Sequence, residues 1–349
     1  MPETIKSLKE FFTTTAILEY IRNYPVDDDP SQRLFPDRRV ESLKAEWEKS
    51  MNNLPVMANF VGTETEANLL GRDELAKEEG ELGFIKVKRR LSEKDIIERY
   101  FTPRLGTRDQ QLAIEALYND IKFLIDAIRA RCRYTKIQVM ANGKAPITIR
   151  RGSKEVTKDL DYGIPASHQA QPSVLFDNVD AKPLNFFYDM AETIAADSGQ
   201  TLVNLLTTGQ VINFITSTNQ IKEELYGTST TTRLIGLEDV NSLLVKKGLA
   251  PIYKFKGKVR VENADGTKST IDIFPAKKLV GIPGGILGEG LHGPTAEERK
   301  QNVKMTEVDM ILAYLIEQDE PPAEYTKAVT SFLPTFPAVD AVYTTQVIT

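Results

Sequence analysis

Cysteine is nearly absent from this 349-residue chain: Cys132 stands alone, which excludes an internal disulfide and any zinc site built from several thiolates. Stability must then come from packing and from partners. Histidine is almost as scarce. His168 and His292 lie far apart in sequence, so histidine-rich metal centres and Cys–His nucleophile pairs have little to be built from. No apolar run approaches the roughly 18 uncharged residues of a membrane helix, and the opening MPETIKSLKEFF lacks the basic, apolar and small-residue succession of a secretory signal. The expectation is a protein made and used in a cytosol, with no membrane as partner. A net charge of −5 and a pI near 5.4 speak against a dedicated nucleic-acid binder. A protein that merely encloses DNA is under no such demand.

What is present is enough apolar material, 41% of residues, to bury two or three cores. Ile5, Leu8, Phe11 and Phe12, then Ile17, Leu18 and Ile21, recur at helical spacing and predict one or two short helices ending at Tyr24-Pro25. Val26 to Arg39 reads as a polar, proline-bearing extended link. Val56 to Val61 is apolar enough for a strand, and Phe84 to Arg90, FIKVKRR, alternates as a half-exposed strand does. Between them lies a long, glycine-punctuated acidic stretch, which on its own reads as a surface loop.

The strongest helix signal follows. Thr107 with Gln110 forms a capping-box pattern, and Ala113, Leu117, Ile121, Leu124 and Ile128 line one stripe. Arg129, Arg131 and Arg133 sit where a helix C-terminus favours cations. About 26 residues make a rod of roughly 40 Å. Such a rod with one apolar stripe needs a sheet or loop along it, because propensity alone stabilises it too little.

Ile147 to Asp159 reads as a hairpin turning at Gly152-Ser153, followed by a loop-rich boundary. An α/β rhythm then begins: a helix over Phe186–Ala195 ended by Gly199, a buried strand at Leu202–Leu206, and helices at Val211–Ile215, Ile221–Leu225 and Val240–Val245. Strands around Val259–Val261 and Ile271–Ile273 flank the hairpin signal Asp265-Gly266, and Lys278 to Ile282 suits a buried strand. The tail from Thr306 reads as short strands cut by prolines that return to the sheet packed on the long helix.

Candidate chemistry is thin. Gly281 to Gly293, GIPGGILGEGLHG, lacks the Gly-Lys-Ser/Thr ending of a P-loop and the dinucleotide fingerprint, and reads as a flexible surface turn. Glu78, Glu79 and Glu81, like Asp27–Asp29, have no metal-loop spacing and read as solvated charge. Cys132 has arginines beside it but no histidine, so a passive thiol is expected. Lys86, Lys88, Arg89 and Arg90 are the densest basic run and, set beside the acidic stretch, read as half of a salt-bridged contact with another copy.

The order of pieces carries more than any motif. LEYIRNYPVDDDPSQRLFPDRRVESL, then GFIKVKRRLSEKDIIERYFTPRLGTRDQQLAIEALYNDIKFLIDAIRAR, then IDIFPAKKLVGIPGGILGEGLHGPTAEE and FLPTFPAVDAVYTTQVI resemble, across nearly the whole chain, the lambda-type (type E) major capsid proteins of tailed phages. The resemblance implies an α+β, Hong Kong 97-type fold. It implies an N-terminal arm and link over 1–55, an extended β-hairpin loop over 56–90, a peripheral domain with a spine helix over 91–177 and 307–349, and an α/β axial domain over 178–306.

It also implies a non-enzymatic shell subunit without cofactor or metal. Such a subunit assembles into hexamers and pentamers in the host bacterial cytoplasm and ends in the virion. Its expected partners are itself, scaffolding, portal and decoration proteins, and packaged double-stranded DNA bound without sequence specificity. The extended loop and its base (Glu78, Glu79, Glu81, Lys86, Lys88, Arg89, Arg90) are then expected at subunit interfaces, and Leu117, Ile121, Leu124 and Ile128 in the core under the spine helix. Two rivals stand beside this reading: an encapsulin-like nanocompartment shell, which a cargo-binding stretch would mark, and an α/β nucleotide-binding enzyme using the glycine loop.

Overall fold

The computed structural model describes residues 30–48, 77–91, 107–151, 154–229, 233–262, 266–299, 305–320 and 322–349. The expected helices before Tyr24, the strand at Val56–Val61 and the acidic stretch up to residue 76 lie outside them. In chain order the elements are α1 (Pro30–Leu34), β1 (Asp37–Arg39), β2 (Lys44–Glu48), β3 (Lys77–Glu81), β4 (Gly83–Leu91) and the long helix α2 (Thr107–Asn142). A hairpin of β5 (Lys144–Arg151) and β6 (Lys154–Asp161) leads to α3 (Pro183–Ser198), β7 (Leu202–Thr207), α4 (Gly209–Ser217), α5 (Asn219–Tyr226) and α6 (Leu237–Lys246). Then come β8 (Ile252–Lys254), β9 (Lys258–Glu262), β10 (Lys268–Asp272), β11 (Lys278–Pro283) and β12 (Gly290–Gly293). Finally β13 (Met305–Val308), β14 (Ile311–Asp319), β15 (Pro322–Pro334) and β16 (Tyr343–Gln346) close the chain. The architecture is α+β.

The chain divides into two compact units. The first comprises Met1–Ala45, Gly80–Arg133 and Gly290–Leu333, and the second Glu46–Glu79, Tyr134–Glu289 and Pro334–Thr349.

In the first unit a six-stranded sheet runs β1-β12-β15-β14-β13, with β4 pairing antiparallel to β15 from Glu324↔Leu91 to Phe332↔Gly83. Ile311–Ile316, ILAYLI, is apolar at every position, which suits a strand covered on both faces. Ile311, Ala313 and Leu315 pack with Val308, Ala328 and Phe332 against Ile121, Leu124, Ile125, Ile128 and Cys132 of α2, while Leu312, Tyr314 and Val329 cluster on the other side. The helix positions recur at three- and four-residue steps, so all reach one stripe. Each fully buried isoleucine there contributes about 1.5–3 kcal/mol. The β13–β14 turn is Asp309-Met310, both at positive φ (48° and 63°), as a two-residue type I′ hairpin loop requires.

In the second unit a sheet of order β16-β11-β7-β8 has β7 and β8 parallel and the other pairs antiparallel. Leu205, Gly281, Tyr343 and Ile252 pair across it and so share one face. That face belongs to a core with Phe187, Met190 and Ile194 of α3, Val211 and Ile215 of α4, Ile221 of α5, and Val240 and Leu244 of α6. Gly199 and Gly227 close α3 and α5 in the left-handed conformation. The β9–β10 ribbon pairs Lys258↔Asp272 through Glu262↔Lys268 around Gly266.

Four expectations are corrected. The long helix does not stop at its arginines: it has 36 residues, about 54 Å, and Arg129–Arg133 lie in its interior. Its end comes at Gly143, at φ 65°, whose N–H donates to Val139 O at 2.8 Å. The link up to Arg39 is not simply extended, since PSQRL forms α1 and DRR forms β1. The glycine stretch is a surface turn only at Gly284–Ile286, for Gly281–Pro283 and Gly290–Gly293 are buried strand. The tail strands are not short: β14 has 9 residues and β15 has 13, with Pro322 and Pro334 at the ends of β15. Only β13 and β16, of four residues each, are short, and β16 joins the sheet of the second unit.

Candidate assembly surface

The basic run lies on β4, the strand that follows β3 directly. Lys86, Lys88, Arg89 and Arg90 are exposed, as are Glu79 and Glu81 on β3, while Glu78 is placed in β3 by its backbone alone. Most of the run's charge is engaged within the chain. Lys86 Nζ donates to Glu297 Oε1 at 2.9 Å, and Lys327 Nζ on the neighbouring β15 donates to the same oxygen at 3.0 Å. Lys88 sits 4.9 Å over the Tyr325 ring. Arg89 pairs with Asp120 of α2 at 2.7 Å and covers the Phe123 ring at 4.4 Å. Arg90 is exposed on the same strand.

Glu297 is buried, and burial alone would raise its pKa, but the hydrogen bonds from Lys86 and Lys327 outweigh that and hold it down at about 2. Lys327 responds in kind: burial opposes its charge, yet hydrogen bonds with Tyr314 and Glu297 raise its pKa. Arg39 of β1 reaches both Glu298, at 2.9 Å, and Glu307, and Arg129 pairs with Asp126 and Asp309. The first unit is therefore laced by ion pairs that tie β1, β4, α2, β13 and β15 together.

Glu297 and Glu298 were not singled out by sequence. A signal existed: Thr295-Ala-Glu-Glu298 fits the capping-box pattern, and Thr295 N–H does donate to Glu298 Oε1 at 2.9 Å. Of the proposed spine-helix positions, Ile121, Leu124 and Ile128 are buried at 2% exposure or less, and Leu117 lies in α2. Cys132 is buried beside them.

The histidines are buried and structurally engaged. His168 Nδ1 lies 3.0 Å from Val342 O and Nε2 2.9 Å from Asp197 Oδ2. His292 Nδ1 lies 2.9 Å from Thr330 Oγ1, with Nε2 at an ion-pair distance of 3.3 Å from Asp37. Among the described residues no group of three or more His, Cys, Asp or Glu gathers as a metal site, and no helix is long and apolar enough to cross a membrane.

The sequence matches no family model and no curated protein. Solved structures do match over nearly the full length. The proposed capsid protein of a prophage of Escherichia coli CFT073 aligns at a TM-score of 0.58 with 14% identity, covering 96% of this chain and 98% of that one. A phage-related protein from Bordetella bronchiseptica RB50 aligns at 0.54 with 10% identity, covering 95% and 96%. A chain of the cyanophage A-1(L) capsid aligns at 0.51 with 13% identity, covering 98% and 99%. The fold is thus that of phage capsid proteins, and more particularly the α+β arrangement of the Hong Kong 97 type.

Proposed function

We propose that this chain is the major capsid (head) protein of a tailed double-stranded DNA phage, a non-catalytic subunit that assembles with itself into the hexamers and pentamers of an icosahedral shell. The observation that carries the reading is the end-to-end match with capsid chains, in which almost no residue of either partner is left over. The ion-pair lacing of the first unit supports it, since a subunit loaded from many sides gains from strands held at both edges.

In this reading residues 1–55 are an arm and link, 56–90 the extended loop, 91–177 with 307–349 the peripheral domain, and 178–306 the axial domain. Arg90, Glu79 and Glu81 remain the charges offered to neighbouring copies, while Lys86 and Arg89 brace the strand that presents them. Scaffolding, portal and decoration proteins are the further partners, the enclosed DNA is held without sequence specificity, and the shell forms in the host cytoplasm before becoming part of the virion. Electron microscopy of the expressed protein, alone or with its scaffold, tests the proposal. Closed shells or ring-shaped capsomers are expected, and a monodisperse monomer under all these conditions overturns it.

A further inference from the structure

We infer that the second unit carries a docking surface for the phosphate backbone of double-stranded DNA, formed by Lys254, Lys256, Lys258 and Arg260. This rests on the shell reading only in that the DNA is the enclosed genome. In an acidic chain, this stretch has a cation at every second residue and no carboxylate between them. Burial alternates in step: the four cations are exposed, Phe255 is buried, and Gly257 and Val259 are half-buried.

The stretch is held firmly. Phe255 stacks on Phe274 with ring centroids 5.4 Å apart, and its N–H donates to Thr207 O at 2.8 Å. Ile273 N–H donates to Gly257 O at 3.1 Å, and β9 is zipped to β10. In β9 the extended backbone sets Lys258 and Arg260 roughly 6.6 Å apart on one face, and Lys254 at the end of β8 and Lys256 in the link between the strands continue this ridge of exposed cations. One DNA strand offers a phosphate about every 3.4 Å of axis, so each ridge cation has one within reach.

Lys258 is paired with Asp272 at 3.2 Å, whereas Lys256 and Arg260 have no ion-pair partner among the described residues. Tyr253 and Val261 are exposed at the two ends of the row, but the row itself is three lysines and an arginine, a poor match for a protein partner because interfaces are depleted in lysine. They suit a uniformly charged polymer. Each contact is weak and salt-dependent, which leaves the genome free to move, yet it repeats at every copy of a shell.

The test is fluorescence anisotropy of the full-length protein with a random-sequence duplex of about 30 base pairs, from roughly 50 to 200 mM salt. The double substitution Lys256→Ala/Arg260→Ala should lower affinity at the low-salt end about tenfold or more and reduce the slope of log K against log salt by about 1.8. The control Lys182→Ala/Lys246→Ala removes two exposed charges elsewhere in the same unit and should leave slope and affinity unchanged. Circular dichroism should show both variants folded, since exposed substitutions of this kind cost little.

Failure of the wild type to bind at 50 mM salt, wild-type binding by the ridge variant, or an equal loss in the control overturns the inference. Micrographs of the same samples separate it from the shell reading. A ridge variant that binds DNA normally but forms no shells makes the ridge a contact between copies. A wild type that never forms shells, but whose DNA binding depends on Lys256 and Arg260, removes the shell reading and leaves the DNA surface standing.

Discussion

Met190 Sδ occupies the space that a side chain on Gly281 would need: a β-carbon there would lie 2.6 Å from the sulfur and 2.9 Å from Leu202 Cδ1. The glycine lets β11 lie close against α3. Gly281→Ala should therefore cost about 1–3 kcal/mol through forced rearrangement of a tight core. Urea unfolding measures it, and Met190→Ala in the same chain should make the glycine substitution markedly cheaper, as coupled neighbours do. Additive costs would show that the close approach is not what constrains this position.

Glu297 gives the first unit a pH dependence with a definite sign. Its pKa is held at about 2, below the ordinary 4.5. Its contribution is therefore complete above about pH 5 and disappears as pH falls toward 2. The full shift corresponds to about 3 kcal/mol at most. Glu297→Gln should destabilise the protein at pH 7, and the gap from wild type should narrow steadily between pH 5 and pH 2 in denaturant titrations. A gap independent of pH would mean that the Lys86 and Lys327 contacts stabilise nothing.

The Asp309-Met310 turn holds a methionine at φ 63°, where glycine is at home and a longer side chain is strained. Met310→Gly should raise stability by about 0.5–1 kcal/mol, a rise in Tm of a degree or more. The reverse result would place a stabilising contact of the Met310 side chain above the backbone strain.

How far the sequence revealed the fold depends on whether an element had one exposed face. Ile121, Leu124 and Ile128 stand out because the opposite face of α2 is polar, and Phe84–Arg90 because β4 alternates. The last turns of α2 were lost for the opposite reason. Thr135 to Ala141 are buried throughout, including Thr135, Lys136 and Gln138, so no period survives and the polar residues imitate surface.

The helix end was legible only in Gly143, and what satisfies its carbonyls comes from afar: Ala141 O accepts from Lys278 Nζ at 3.0 Å and from Thr344 Oγ1. The stretch Gly281–Gly293 misled because glycine signals turns, whereas here Gly281 and Gly293 mark close packing, the latter 2.7 Å from Leu82 Cδ2 for an added β-carbon. Of the proposed assembly surface, the residue types were legible. Their partners were not, because Glu297 is 211 residues from Lys86 in sequence.

The stripe beneath the spine helix makes a stronger claim. Ile121→Asp would bury a carboxylate in the apolar cluster that holds Ile311, Leu315 and Ala328, a cost of several kcal/mol that should abolish soluble, folded protein. Ile128→Ala leaves only a cavity and should cost about 2–5 kcal/mol while still allowing a folded chain. Expression of Ile121→Asp with a native circular dichroism spectrum would place the helix on another face.

The final prediction separates folding from assembly. The residues between Glu64 and Glu81 are strongly acidic, and Lys86 to Arg90 follow on β4. Because Lys77–Glu81 pairs with β2, a deletion aimed at assembly must spare β3, and removing Thr65 to Ala76 does so. Both described cores lie outside the deleted segment, so the variant should be soluble with unchanged secondary structure and near-native stability. If the shell reading holds and the segment serves the neighbouring copy, the variant should nevertheless fail to close shells. Arg90→Glu should act in the same direction but weakly, since an exposed pair contributes about 0–1 kcal/mol, although the effect repeats at every copy of a lattice. Arg89→Glu should do more damage within the chain, where Arg89 already holds Asp120 and Phe123. Shell yield by electron microscopy and thermal unfolding of each variant, measured together, decide the matter. Normal shells from the deletion variant would make the acidic segment a passive surface feature, and the charges of β3 and β4 would then serve only the fold of the subunit itself.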